Sequence, residues 1–367
     1  MLSPAAHVDE PPDRGSVFER LLDHLDSVFD GHLPPNGYVY GPPGAGKSAI
    51  LTALFAHLER TSTDNRSVVY TSTRVTSPPI PRFVYVDVRR IKSEFAFYHD
   101  VLDALVEESI PEHGVGTDEL HDRLHASIET SRSGVVVAVD HVDEPETVEP
   151  TELVEWFSRL PSRVSWLAVG REEPASMPLV EYTADAIRIG PYRQEMLVDV
   201  LMGRASKGLG RQALNYDTAR RIADWADGNA HDALAALFIA ADRADRNSRD
   251  VLTEADVDEA IAEIPRPSAS LGRILTLPEN KQRVLRELID LPADERGTVT
   301  ATADAISSRP DVDLSTGTVK RFLYELAEID VLQRVRTERH AGKGRPPSRI
   351  ELRFPPSVFC RLYDLGR

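Results

Sequence analysis

The chain has 367 residues, enough for two or three domains and a sizeable core, and it carries 43 Lys+Arg against 59 Asp+Glu for a formal net charge of −16. Its single cysteine, Cys360, set in an apolar stretch that predicts a buried thiol, excludes a disulfide framework and argues against a Cys-based zinc site. No run approaches 18 apolar residues, and residues 1–12 lack the basic start and apolar core of a signal peptide, so a cytoplasmic protein with no membrane partner is expected.

The charge is unevenly spread. From residue 271 onward there are 17 basic and 14 acidic residues, so the acidic excess lies entirely in the first 270. Only six of the basic residues are Lys. Such an acidic, Lys-poor, Arg-using chain fits a halophile's protein or a GC-rich codon bias. In multimolar salt, charge is screened within a few Å, which weakens net negative charge as an argument against binding nucleic acid.

In chain order, residues 1–15, rich in Pro and Asp, predict a flexible tail. Residues 16–29 place Phe18, Leu21, Leu22, Leu25, Val28 and Phe29 at helical spacing. A short strand at 37–40 leads into a glycine loop, followed by a helix over 48–58. Apolar runs at 68–70, 83–88, 135–139 and 164–170 predict buried strands, with helices over 98–108 and 117–130. Strands alternating with helices imply a parallel α/β sheet covered on both faces. From 193 to 264 the pattern is helical, broken at Gly228-Asn229, and 264–268 reads as a linker. The last hundred residues predict three short helices and two strands, at 331–337 and 348–354.

The glycine loop is Gly41-Pro42-Pro43-Gly44-Ala45-Gly46-Lys47-Ser48, a complete G-x-x-x-x-G-K-[ST] match between a predicted strand and a predicted helix. Glycines at 41, 44 and 46 let the amides of Ala45 and its neighbours point inward at phosphate, and the helix beginning near Ala49 adds its positive N-terminus. Lys47 is expected to reach the β- and γ-phosphates of ATP or ADP, and Ser48 to offer its hydroxyl to Mg²⁺. Asp140, after five apolar residues, fits the second acidic group of the Mg²⁺ site. Hydrolysis also needs a group to activate water. His141 stands directly after Asp140, followed by Asp143 and Glu144, either of which is a substitute or part of a solvated loop.

A second candidate site lies near the C-terminus. In residues 315–326, Val319, Phe322, Leu323 and Leu326 make an inner helical face, leaving Ser315, Thr316, Thr318, Lys320 and Arg321 outside. Hydroxyls and bases near a helix N-terminus suit contacts with DNA phosphates and base edges. The hairpin that follows is basic and includes Arg339, Lys343 and Arg345 at its tip. A helix followed by a basic two-stranded wing is a winged-helix arrangement, with double-stranded DNA as the expected partner.

Together these parts resemble the archaeal replication-initiator ATPases, the origin-recognition and cell-division-control-six family of the AAA+ class, from about Ser16 to the C-terminus. The resemblance is carried by residues 34–41 leading into the loop, by Asp140-His141-Val142-Asp143 where the family has an Asp-Glu-x-Asp motif, and by Ile189-Gly190-Pro191-Tyr192 and Leu201-Met202-Gly203-Arg204. It implies a flexible tail (1–15), an AAA+ P-loop domain with a parallel sheet (16–188), a helical lid (189–265) and an α+β winged-helix DNA-binding domain (270–367). It further implies that Tyr192 packs near the adenine and Arg204 near the nucleotide. Four positions depart from the family. His141 stands at the catalytic Glu, Gly170 or Arg171 at a polar sensor, and His231 at a second sensor Arg, while Arg171 is the best candidate for an arginine finger. The expected function is an ATP-binding, DNA-binding protein of replication-initiator type with weak ATP hydrolysis, working with other initiator or helicase subunits. The alternative is a nucleotide-gated winged-helix regulator of transcription or signalling.

Overall fold

The structure, a computed structural model, describes residues 15–67, 80–106, 108–111, 114–130, 134–210, 212–336 and 348–365. The strand expected at 68–70 and the wing-tip residues Arg339, Lys343 and Arg345 lie outside the described residues. The fold divides into two compact units, with the break between Met196 and Leu197.

The first unit runs α1 (Gly15–Leu25), β1 (Gly37–Tyr40), α2 (Lys47–Ser67), β2 (Arg82–Asp87), α3 (Glu94–Leu105), α4 (Thr117–Thr130), β3 (Val135–Asp140), α5 (Pro150–Ser158), β4 (Val164–Gly170) and β5 (Asp185–Arg188). All five strands are parallel, in the order β2-β3-β4-β1-β5. The unbroken Val-Val-Val-Ala-Val run of β3 is explained by burial on both faces. Val135, Val137 and Val139 pack with Tyr98, Trp156 and Leu124 on one side of the sheet, and Val136 and Ala138 with Leu51, Leu54 and Phe55 on the other. Each fully buried side chain of this kind contributes roughly 1.5–3 kcal/mol.

Two elements of this unit escape a pattern reading. In β5 only Ile187 is buried, because it is an edge strand. The nine-residue α5, with Pro150 in its first turn, is too short to show much periodicity. Helix α3 starts at Glu94, four residues before the expected Tyr98, because the Ser93 side chain accepts the Ala96 amide as an N-cap.

The second unit contains α6 (Gln194–Gly208), α7 (Tyr216–Ala226), α8 (Ala230–Arg246), α9 (Glu254–Glu263), α10 (Leu271–Leu275), α11 (Glu279–Asp290), α12 (Val299–Ser307), α13 (Thr316–Glu328), β6 (Leu332–Arg336), β7 (Ser348–Leu352) and α14 (Pro356–Leu365). Small residues let α8 be buried on most sides: Ala233, Ala235, Ala236, Leu237 and Ala240 are all in the core. Asn229 caps α8, and Thr253 with Asp256 forms a capping box on α9. Strands β6 and β7 form an antiparallel hairpin. Instead of three helices, the C-terminal stretch has α10 to α13 before the hairpin and α14 after it. Cys360 is half-buried on the flank of α14, beside the fully buried Val358 and Phe359, and burial pushes its thiol pKa up. No helix among the described residues is long and apolar enough to cross a membrane.

Candidate nucleotide site and nucleic-acid interface

The glycine loop leaves the C-terminal end of β1, which lies between β4 and β5, and enters α2. Ligands of open parallel sheets bind at this edge. Gly41, Gly44 and Gly46 all have positive φ. A Cβ on Gly41 would meet the Ile189 carbonyl oxygen at 1.9 Å, and one on Gly46 the Tyr192 hydroxyl at 2.5 Å. Tyr192 is thereby placed against the loop, where the sequence alone read only a core tyrosine. Ala45 is buried, and Ser48 and Ala49 sit in the first turn of α2, whose leading amides have no partner within the helix. Lys47 donates to the Gly41 and Pro42 carbonyls at 2.7 and 3.0 Å. Burial pulls its pKa down to about 8, opposed by the charge of Asp140. A buried ammonium resting on carbonyl dipoles is a ready receptor for phosphate oxygens.

Asp140 ends β3 and is buried. It accepts the Tyr85 hydroxyl at 2.6 Å and the His141 amide at 2.7 Å. The Tyr85 hydroxyl thereby fixes the carboxylate expected beside Mg²⁺. Parallel register places Asp87, at the end of β2, opposite Asp140. Asp87 holds Nδ1 of His141 at 3.1 Å and grips Arg89 through both of its oxygens, at 2.6 to 3.1 Å. Burial opposes ionisation of Asp87, but the His141 and Arg89 hydrogen bonds win and hold its pKa well below the usual carboxylate range. Burial also opposes the charged form of His141, yet Asp140 and Asp87 outweigh it and raise the imidazole pKa. The position expected to carry a water-activating carboxylate therefore carries a cation-favouring ring at φ 67°.

Asp143, half-buried, accepts the amides of Arg171 and Glu172. Arg171 pairs through its guanidinium with Glu144 of the same chain, whose side chain is only 1% exposed. Sequence reasoning missed Tyr85, Asp87 and Arg89. Asp87 carried a signal, an acid ending an apolar strand in the manner of Asp140, whereas Tyr85 read as one more strand residue.

Arg204 and His231 belong to the second unit. Arg204 is buried in α6, and Nε2 of His231 accepts the Leu271 amide at 3.2 Å, tying the start of α8 to α10. In α13, Ser315 caps the helix by accepting the Thr318 amide, and its hydroxyl also bonds that of Thr318 at 2.9 Å. Thr316 bonds Ser307 at 2.9 Å and Lys320 bonds Thr300 at 3.0 Å, fastening α13 to α12. Val319, Leu323 and Leu326 are buried as expected, while Phe322 is half-exposed. Arg321 projects outward, 65% exposed and 3.4 Å from Glu325. Arg334 on β6 stacks on Tyr324 at 4.6 Å, a cation–π contact that joins the wing to the helix.

Sheet order, loop and ends of β1 and β3 define a P-loop nucleotide-binding domain of the AAA+ class, and the family model for the AAA ATPase domain matches residues 10–169. Over most of its length the chain is similar to ORC1-type DNA replication proteins. It is 24% identical to protein 1 of Sulfolobus acidocaldarius over 76% of this chain and 69% of that one. It is 26% identical to protein 9 of Halobacterium salinarum over 90% and 88%. Among solved structures, that of the Aeropyrum pernix ORC1 protein in complex with DNA shares the fold at a TM-score of 0.65 and 20% identity, over 96% of this chain and 92% of that one. Along most of its length the chain is thus similar to the archaeal origin-recognition and cell-division-control-six proteins of the AAA+ class.

Proposed function

We propose that this protein is a nucleotide-gated, DNA-binding protein of the replication-initiator type. One observation carries the reading: an intact phosphate cradle, with Lys47 poised on the loop carbonyls, in a chain similar to ORC1-type replication proteins over most of its length. ATP or ADP binds at Gly41–Ala49, with Tyr192 against the loop. The hydroxyl of Ser48 and the carboxylate of Asp140, the latter fixed by Tyr85, are hard oxygen donors that fit Mg²⁺. Bound there, the ion would neutralise phosphate charge.

Hydrolysis is slow in this reading, because His141 is engaged by Asp87 and no carboxylate takes its place. Asp143 and Glu144 are committed to Arg171 and Glu172. The working division is a P-loop domain over 16–188, a lid over 189–265 and a winged helix over 270–367. Duplex DNA is met by the outer side of α13, with Ser315, Thr316, Thr318, Lys320 and Arg321, and by the wing. Other initiator or helicase subunits are the expected protein partners. Mapping the protein's chromosomal occupancy tests the reading. Enrichment at replication origins is expected, whereas occupancy confined to promoters would replace it with a transcriptional regulator.

A further inference from the structure

Helix α4 carries the sequence His121-Asp122-Arg123-Leu124-His125. Two histidines four positions apart lie on one face of a helix, a turn from each other, which is the spacing of a helical metal chelate. Leu120, Leu124 and Ile128 anchor the inner side of α4 in the core and leave both imidazoles half-buried at its margin. Their ring centroids are 4.3 Å apart. Neither the nucleotide site nor the DNA-binding helix uses them.

Both rings converge on one atom. Nε2 of His121 and Nε2 of His125 each lie 3.1 Å from the carbonyl oxygen of Arg159. Arg159 is the C-cap of α5, the end of a helix where carbonyls lack intrahelical amide donors and carry partial negative charge. Neighbouring groups brace the cluster. The Tyr98 ring meets His121 edge-on at 5.4 Å, and its hydroxyl is tied to Glu94 and to the Trp156 carbonyl. The same Glu94 neutralises the Arg159 guanidinium at 2.6 Å. Helix α4 itself sets Asp118, Glu119, Asp122 and Glu129 against Arg123, so the local field favours a cation.

We propose that His121, His125 and the Arg159 carbonyl form a binding site for a transition-metal dication of the Zn²⁺ class, with water completing the coordination. Bonds of about 2.0–2.2 Å to adjacent positions on one such ion place the two donors about 3.0–3.4 Å apart. The two nitrogen–oxygen separations of 3.1 Å meet that requirement. Neutral imidazole is the preferred ligand of Zn²⁺, Ni²⁺ and Cu²⁺, and binding moves each ring's proton from Nε2 to Nδ1. Mg²⁺ prefers an all-oxygen shell, so this site is distinct from the metal site of the nucleotide. The ion pins α4 to the end of α5 and thereby braces the segment that joins β3 to β4.

The test uses the full-length protein without affinity tag or nucleotide, titrated with Zn²⁺ against a chromophoric chelator in millimolar Mg²⁺. Stoichiometric binding at about micromolar affinity is expected. A Gln side chain keeps a hydrogen bond to the Arg159 carbonyl but is a poor ligand for Zn²⁺. His121→Gln and His125→Gln are therefore expected to fold normally and each to lose affinity about tenfold or more. His57→Gln, at an exposed position of α2, should bind as the wild type does. Zn²⁺ should raise the melting temperature of the wild type and leave that of the doubly substituted protein unchanged. Absence of stoichiometric binding would overturn the site. So would binding that survives in the double variant, or binding that Mg²⁺ displaces.

Discussion

At position 141, where the resemblance leads one to expect a catalytic carboxylate, an imidazole is held by Asp87 at 3.1 Å. Restoring the acid alone would set three carboxylates together, at 87, 140 and 141, and raise the pKa of at least one. His141→Glu by itself is therefore expected to recover little turnover. Paired with Asp87→Asn, which gives the new acid a hydrogen-bond donor, it should raise ATP turnover by about 10²-fold or more. A steady-state phosphate-release assay on the two variants checks this, and equal rates would refute the Asp87–His141 coupling. A second buried acid, Asp232, has its pKa pushed up from 3.8 to about 6 by burial, with Arg266 pulling the other way. Because the folded value lies above the unfolded one, the stability this group contributes is present below its unfolded pKa and is lost as pH rises through about 6. Asp232→Asn, neutral throughout, should exceed the wild type at pH 7.5 by on the order of 2–3 kcal/mol. The difference should vanish near pH 3, below the unfolded value, and denaturant melts at both pH values give the answer.

Elements differ in how openly the sequence states them. The P-loop is legible because its chemistry is local: eight consecutive residues specify turn, helix start and lysine. Strand β3 with Asp140 is legible because burial on both faces leaves an unbroken apolar run. What fails to show depends on register between distant segments. Asp87 meets His141 only because β2 and β3 pair in parallel across some fifty residues, and Tyr85 reaches Asp140 through the same pairing. The edge position of β5 hides it for a related reason, since one buried side chain makes no pattern. In α13 the hydroxyl-rich start was legible, but its internal use was not, because Ser315 and Thr316 serve the helix cap and the α12 contact as well as facing outward. Ser315→Ala is thus expected to destabilise the second unit by about 1 kcal/mol, seen in thermal melts. Arg321→Gln should leave stability almost unchanged while reducing the slope of log affinity for duplex DNA against log salt by about 1. A slope identical to wild type would remove Arg321 from the DNA interface.

For the whole molecule, the account joins an acidic nucleotide-binding unit to a second unit whose last hundred residues carry a small net positive charge. The overall −16 would ordinarily speak against DNA. DNA is favoured by the distribution of charge, by a capped helix beside a basic hairpin, and by similarity to replication proteins along nearly the full chain. Such a protein should respond to nucleotide as a switch, with slow turnover preserving the bound state. The most direct measurement is fluorescence anisotropy of a labelled duplex at the protein's working salt, titrated with wild type and with Lys47→Ala, each in the presence of Mg²⁺ with ATP, with ADP and without nucleotide. The account predicts that the wild type binds the duplex with an affinity that differs severalfold between ATP and ADP, and that Lys47→Ala binds it with one affinity under all three conditions. Absence of binding by the wild type, or binding indifferent to nucleotide, would contradict it.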